Sequence, residues 1–554
     1  MAGIIKAFAT DLDGTITEGT TVPPRTVDAL VDARSSGIAT ILVTGRIGED
    51  LDEQFPGLRR AFDAVVTENG AVLETADSLT ALAPEANPQL VARARAHGVD
   101  LRVGRSVLEC SVEHATTCLA LITELGADAQ LLRNRQRLMI LPAGVSKRSG
   151  LLSALHELGL SPHNVLAVGD AENDLALLDT AEIGVAVATA VPSVKEHADL
   201  VLDEPGAAGI LSLLHGPLLR GGHLVRSSRH DVVIGTFTDG TPVRLPASQA
   251  NVLISGESGS GKSHLAGLLA EQWVRAGYTV LVIDVEGDYH GLEHLVDVVV
   301  LDADPPPTTQ ELVRLLRQRS ISVVLDLSLM PERTATAYLR DLAGVIDAER
   351  SAWGLPHWVL VDEAHTPLGL GGAMEGMLRP GDDGYCLVTY RPEELPEPVL
   401  RDVDVVVTTH GPHRADRPTA TIRRAGGSER AFTVAARSTP HVRHWHKYLG
   451  APLPRDQWFR FVDTRGTVIA TAENVEEFLR RLESLDPTVL DGHLARGDIS
   501  RWLAGSLQDH RLAAEAAAIE RDVIAQRSLE LARARSRLVA AIESVYGVPE
   551  HGTG

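Results

Sequence analysis

Cysteine, aromatic residues and positive charge are all scarce in this chain, and each shortage excludes something. Three cysteines occur in 554 residues, Cys110, Cys118 and Cys386. Their spacing is neither that of paired bridges nor that of a metal-ligand knuckle, which excludes a disulfide-stapled scaffold and fits a reducing cytoplasm. Aromatics make up 4% of the residues, and 52 Lys and Arg face 74 Asp and Glu, a net charge of −22. That excess opposes nonspecific binding to a nucleic-acid backbone, which needs many cations against phosphate, although a local basic channel remains compatible with it. Long apolar runs are also missing. The longest, such as "VVIG" and "VDVVVL", are strand-sized, so no membrane span is expected. The start "MAGIIKAFATDLDGT" runs straight into a motif-bearing strand, so no cleaved signal peptide and a cytoplasmic location are expected.

With 44% hydrophobic and 23% charged residues, the composition is that of globular protein. The length suggests three or four domains of about 150 residues each.

Four stretches in the first part of the chain carry chemistry. "IKAFATDLDGT" reads as a buried strand delivering Asp11 and Asp13 into a Gly-containing turn. "GIATILVTGR" reads as a second strand, ending at Thr44, Gly45 and Arg46. A helix opens near Lys147, and "NVLAVGDAENDLALL" is a third strand ending at Asp170, followed by Asn173 and Asp174. Strands alternating with helices predict a mostly parallel α/β sheet with its ligand at the carboxyl ends of the strands. Asp11 is then placed to attack phosphorus and form an aspartyl-phosphate. Asp13, two residues on and on the same side of an extended segment, is placed to protonate the leaving oxygen and later activate water. Thr44 and Lys147 supply a hydroxyl and a cation for phosphoryl oxygens, and Asp170 with Asp11 would hold Mg²⁺.

In this order, "DLDGT", "VTGR", Lys147 and "GDAENDLALL" resemble the haloacid dehalogenase superfamily, most closely its Cof-type, phosphoglycolate-phosphatase-like branch. "TENGA", Thr67 to Ala71, matches that family's strand after the second motif. The resemblance implies a Rossmann-like core over residues 1–210 with an α/β cap inserted at about 73–140. It also implies Asp11 as nucleophile and Asp13 as acid/base. Thr44, Gly45, Lys147 and Asn173 become phosphate ligands, and Mg²⁺ falls to Asp11, Asp13, Asp170 and Asp174. The cap, with one long helix in "SVEHATTCLALITELG", is compact and suits a small phosphorylated metabolite such as phosphoglycolate or a sugar phosphate. Arg102, Arg105, Arg133, Arg135 and Arg137 are candidates for meeting an anionic substrate, most of them being ordinary surface arginines.

Gly- and Pro-punctuated residues 211–222 read as a linker to a second α/β domain over 223–435. A hairpin turning at Asp239-Gly240 precedes "GESGSGKS", in which Gly256, Gly259, Gly261, Lys262 and Ser263 form a phosphate-wrapping loop. Lys262 would reach the terminal phosphates of ATP and Ser263 would hold Mg²⁺. "HWVLVDEAH" ends a strand at Asp362, for Mg²⁺, followed by Glu363, placed to polarise an attacking water. A glutamate there favours hydrolysis over transfer to a hydroxyl. With "YTVLVIDVEGDYHGL" and "CLVTYRPEELPEPVLRDVDVVVTT", the segment resembles the HerA/FtsK-type P-loop ATPases. That resemblance implies Thr389 as γ-phosphate sensor and Arg391 or Arg401 as arginine finger. Rings are common in that family, which leaves homo-oligomerisation open. Its usual glutamine before "RP" is Tyr390 here, which weighs against the usual coupling of nucleotide to DNA.

Residues 436–554 read as a small, mostly helical α+β accessory domain: two strands joined at Arg465-Gly466, a helix capped near Thr471, and an amphipathic last helix. His441, His444 and His446 lack a clear ligand spacing, and packing of Trp445 and Tyr448 is the plainer reading of that stretch. The leading expectation is a phosphatase coupled to or regulated by an ATP-hydrolysing domain, with Mg²⁺ and ATP as cofactors and nucleic acid not favoured. The alternatives are an ATP-driven nucleic-acid translocase whose phosphatase trims termini, a polynucleotide kinase–phosphatase, and a nucleotide-regulated scaffold.

Overall fold

The computed structural model describes residues 4–134, 136–219, 225–257, 260–302, 305–410, 419–439, 453, 455–507, 510–525 and 531–546. Gly259, Arg135, the histidines 441, 444 and 446, Trp445 and Tyr448 lie outside the described residues. No helix among those described is long and apolar enough to cross a membrane.

The first of two large sheets has eight strands, in the order Leu200–Val201, Ile183–Ala186, Val165–Gly169, Ala7–Thr10, Ala39–Val43, Ala64–Thr67, Val72–Thr75 and Leu79–Ala81. The strands up to Ala64–Thr67 pair in parallel, and the last two turn back antiparallel. Ala7–Thr10 and Val165–Gly169 are buried along their whole length, as central parallel strands covered on both faces must be. The hairpin 72–81 extends this sheet, so the excursion to a separate sheet begins after Ala81 and not at Leu73. That separate four-stranded sheet, spanning Arg102 to Pro142, carries two helices, Pro88–Ala96 and Ala115–Leu125, where one long helix was expected. The 3-10 turn Val112–His114 explains the shorter second helix. Residues 211–215, read as linker, are helical: Gly206–His215 buries Ile210, Leu213 and Leu214 in the first core, because its apolar residues fall on one face.

The second sheet has eleven strands. Val405–His410, Val252–Ser255, Tyr385–Thr389, Trp358–Val361, Val280–Asp284, Ser322–Asp326 and Val298–Asp302 run parallel. The hairpin 232–245 and strands Thr419–Arg424 and Arg430–Val434 add an antiparallel edge. Both large sheets belong to one compact unit. Their junction is made by residues at the amino ends of strands. Lys6 Nζ donates to Ser351 O at 2.7 Å, and His163 Nε2 lies 2.9 Å from Ala276 O. Tyr278 donates to Glu182 at 2.8 Å, and the His163 ring stacks on Tyr278 with centroids 3.7 Å apart. Since amino ends meet amino ends, the two carboxyl edges lie at the strand ends away from the junction.

The other unit, taken by itself, packs Phe459, Phe461, Phe478 and Trp502 among helices from Val475–Ser484 to Leu531–Tyr546. Its first helix is capped by Asn474 and not near Thr471, since the second strand runs on to Ala472 and Asn474 accepts the N–H of Glu477 at 2.8 Å.

Candidate active sites

The carboxyl edge of the first sheet gathers the predicted residues. Asp11 follows the buried strand Ala7–Thr10, its N–H donating to Val168 O at 3.0 Å. Lys147 opens the helix Lys147–Leu158, which Ser146 and Ser149 start with a reciprocal capping box. Its ammonium lies 2.5 Å from Asp11 Oδ1 and 2.5 Å from Asp174 Oδ1. The other oxygen of Asp174 accepts the N–H groups of Asp170 and Ala171, each at 2.9 Å. Asp11, Asp170 and Asp174 bring carboxylate oxygens within 4.8 Å of one another, all buried.

Burial pushes the Asp11 carboxyl well above the usual range; Lys147 opposes this, while Asp174, Asp170 and Asp13 add to it. Burial works against the Lys147 ammonium, yet Asp11 and Asp174 more than compensate and raise its pKa. When ionised, three carboxylates outnumber one ammonium by two charges. This buried, oxygen-only donor set fits a hard divalent cation such as Mg²⁺.

Beside this cluster opens a cavity of about 360 Å³, lined among others by Asp13, Gly45, Arg46, Arg102, Arg137 and Asn173. Thr44 is fully buried, and its hydroxyl accepts the Arg46 N–H at 3.2 Å. Asn173 donates to Asn69 Oδ1 at 3.5 Å. Asp13 departs from the expectation of a metal ligand. Its carboxylate is gripped by the Arg46 fork at 2.6 Å and 2.6 Å and stands outside the converging trio, because the guanidinium matches both its oxygens. Of the cap arginines, Arg102 is bonded to Asp50 and Arg137 to Glu109 at 2.5 Å, and both line the cavity. Arg105 and Arg133 are not among its lining residues. Arg46, noted in sequence only as a strand end, was missed as a site residue, because its partner Asp13 is far away in the chain.

The second sheet holds the other site at its own carboxyl edge. Strand Val252–Ser255 leads to Gly256, at φ 150°, where a Cβ would come 2.3 Å from Thr409 Oγ1. Gly261, at φ 99°, precedes the helix Lys262–Arg275, with Ser263 in its first turn. Lys262 Nζ donates to Glu257 O at 3.0 Å. Asp362 follows Trp358–Val361 and is buried; Glu363 takes a positive φ of 44°. His365 Nδ1 lies 3.4 Å from Glu363 Oε2 and 3.0 Å from Thr389 Oγ1, so Glu363 and Thr389 meet through one imidazole. Arg391 and Arg401 are exposed and pair with Glu394 and Glu397 on their own turns. Thr409, which bonds Ser260 Oγ at 2.6 Å, was not singled out in sequence because "VVVTTH" reads only as strand.

Known proteins resemble the two regions separately. Residues 8–103 and 113–214 match the haloacid dehalogenase-like hydrolases, and residues 232–348 match the central domain of the helicase HerA. Phosphoglycolate phosphatase 2 of Saccharolobus solfataricus is 31% identical over 213 residues, which are 37% of this chain and 89% of the relative. The phosphoglycolate phosphatase of Methanothermobacter thermautotrophicus is 31% identical over 216 residues, 37% of this chain and 96% of that one. A haloacid dehalogenase-like hydrolase structure from Bacteroides thetaiotaomicron is 20% identical, with a TM-score of 0.34, over 38% of this chain and 98% of its own.

Proposed function

This chain belongs, through residues 8–214, to the haloacid dehalogenase-like hydrolases, and from that premise we propose that it is a Mg²⁺-dependent phosphatase of small phosphorylated metabolites whose activity is governed by ATP at its HerA-type domain. The observation that carries the first half is the contact of Lys147 with both Asp11 and Asp174 beside a cavity sized for a small ester. Mg²⁺, held by Asp11, Asp170 and Asp174, would neutralise phosphoryl charge. Asp11 attacks phosphorus as the ester oxygen leaves with a proton from Asp13 in its protonated form. Asp13, then a carboxylate that Arg46 orients, takes a proton from the water that cleaves the aspartyl-phosphate, releasing phosphate and restoring Asp11. Thr44, Gly45, Lys147 and Asn173 hold the phosphoryl oxygens. Arg102 and Arg137, each held by a carboxylate at the mouth, favour a substrate with a second anionic or polyhydroxyl end, such as phosphoglycolate or a sugar phosphate.

In the second domain Gly256, Gly261, Lys262 and Ser263 would hold the phosphates of ATP, Ser263 and Asp362 would hold its Mg²⁺, Glu363 would polarise water, and Thr389 would meet the terminal phosphate. Arg391 serves across a subunit boundary if the chain assembles. Both carboxyl edges lie away from the junction, which weighs against handing a phosphoryl group from one site to the other, and so against a kinase–phosphatase. Influence of ATP on the phosphatase would pass instead through the junction around Glu182. A second reading, a nucleic-acid translocase with a trimming phosphatase, draws on the HerA match.

The test is Mg²⁺-dependent phosphate release from a panel of esters, with and without ATP, for wild type, Asp11→Asn and Lys262→Ala. The proposal expects ester cleavage that Asp11→Asn abolishes and an ATP response that Lys262→Ala removes. ATP hydrolysis without cleavage of any ester would sink it. Salt-dependent binding to a labelled oligonucleotide would then raise the second reading.

A further inference from the structure

The strand Ala64–Thr67 ends in two consecutive left-handed residues that are not glycine, Glu68 at φ 53° and Asn69 at φ 56°, and both are buried. Such a backbone persists only where surrounding contacts hold it. Those contacts reach two parts of the first site, the Thr44 loop and the start of the Lys147 helix. Glu68 N–H donates to Arg46 O at 2.8 Å and Asn69 N–H to Thr44 O at 2.9 Å, fixing the loop that carries Thr44, Gly45 and Arg46. Gly70, at φ 112°, lies against the cap of the Lys147 helix, where a Cβ would fall 2.0 Å from Ser146 O.

The Glu68 side chain reaches the other way, into the cap. One carboxylate oxygen accepts the N–H of Arg105 at 2.8 Å; the other accepts those of Ser106 at 2.8 Å and Val107 at 3.0 Å. These three amides form the turn between Arg102–Val103 and Leu108–Ser111, closed by Gly104 N–H to Val107 O at 2.8 Å. Successive backbone N–H groups on one carboxylate form an anion nest, with charge-assisted bonds. Gly104 makes room for it, since a Cβ there would stand 2.7 Å from Glu68 Cδ. The hairpin so held presents Arg102 and Glu109 to the cavity, and Glu109 in turn holds Arg137.

We propose that Glu68 is the latch between core and cap: its carboxylate, seated in the Arg105–Val107 amide nest, sets the closed position of the cap and thereby positions Arg102 and Arg137 for the distal end of the substrate. Glu68 is a positioning residue; it neither lines the cavity nor touches the reacting carboxylates. The inference rests on the phosphatase reading only for its kinetic consequence.

The experiment has one arm that needs no activity. Hydrogen exchange of the Arg105, Ser106 and Val107 amides is followed in the full chain for wild type, Glu68→Gln, Glu68→Ala and Gly104→Ala. Both Glu68 variants and Gly104→Ala should exchange about tenfold or more faster at these amides while distant core amides keep their protection. Gly104→Ala should add little once Glu68→Ala has removed the clash, a coupling that general destabilisation would not produce. In the kinetic arm, KM for phosphoglycolate rises about tenfold with kcat changed far less, while p-nitrophenyl phosphate, which has no carboxylate for the cap arginines, shows little change in KM. Wild-type exchange rates at the nest amides in Glu68→Gln and Glu68→Ala, or additive effects of the two sites, would overturn the latch. If wild type cleaves neither ester, the phosphatase reading falls and the exchange arm still decides the latch.

Discussion

Tyr278 donates its hydroxyl proton to the buried carboxylate of Glu182 across 2.8 Å, joining the strand that ends at Asp284 to the one that begins at Ile183. Glu182 also takes the Ser248 hydroxyl and lies 2.9 Å from His163 Nδ1. His163 touches Ala276, the C-cap of the helix that Lys262 opens. One carboxylate therefore links a strand of each sheet and, through His163, the phosphate-loop helix.

Glu182→Ala leaves Tyr278, Ser248 and His163 without their acceptor in a buried junction. A loss of about 3–5 kcal/mol is expected, as for other broken buried networks. Scanning calorimetry should show the two sheets melting separately where wild type melts them together. An unchanged single transition would contradict the role given to Glu182.

Glu182 also predicts an acid response. Burial pushes its carboxyl up, but the bond to His163, the fields of His163 and His230 and the Ser248 hydroxyl outweigh this and hold it below the ordinary 4.5. A carboxylate depressed in the folded state contributes stability that is present above its unfolded value and lost as pH falls through the folded one. The stability advantage of wild type over Glu182→Gln should thus shrink as pH falls below 4.5. Urea titrations at stepped pH measure it; an advantage that grew on acidification would refute the sign.

At the first site, Asp11→Asn should bring ester hydrolysis to background, and Asp13→Asn should lower kcat by about 10²–10⁴-fold. Removing divalent cation with a chelator should abolish turnover and added Mg²⁺ restore it. Full activity in excess chelator would exclude a metal role for Asp11, Asp170 and Asp174.

At the second site, Gly256→Ala has no room, because its Cβ would stand 2.3 Å from Thr409 Oγ1 and 2.6 Å from Ser260 Oγ. ATP binding, read by a fluorescent nucleotide, should be lost, and Thr409→Ser, which keeps the hydroxyl, should bind normally. Normal binding by Gly256→Ala would show that the loop takes another path.

Much of both sites was legible because their chemistry sits in local words. "DLDGT", "GDAEND" and "GESGSGKS" each combine a strand end, a turn and the functional side chain within a few residues, so periodicity and turn residues locate them together. Boundaries were less legible. The strand pair 72–81 joined the core sheet, and residues 211–215 continued a helix, because pairing and burial with distant segments decide such ends. Asp13 illustrates the limit within a motif: its position two after Asp11 follows from the chain, its capture by Arg46 does not.

By itself the sequence determined the two α/β regions, the carboxylates and lysine of the first site and the phosphate loop of the second, since hydrophobic period and turn chemistry are properties of neighbouring residues. Only the tertiary structure decided that Glu68 holds the cap and that Glu182 joins the sheets by their amino ends. Each is a charge whose partners stand 19 or more positions away, and burial, not sequence proximity, chooses partners for a carboxylate taken out of water.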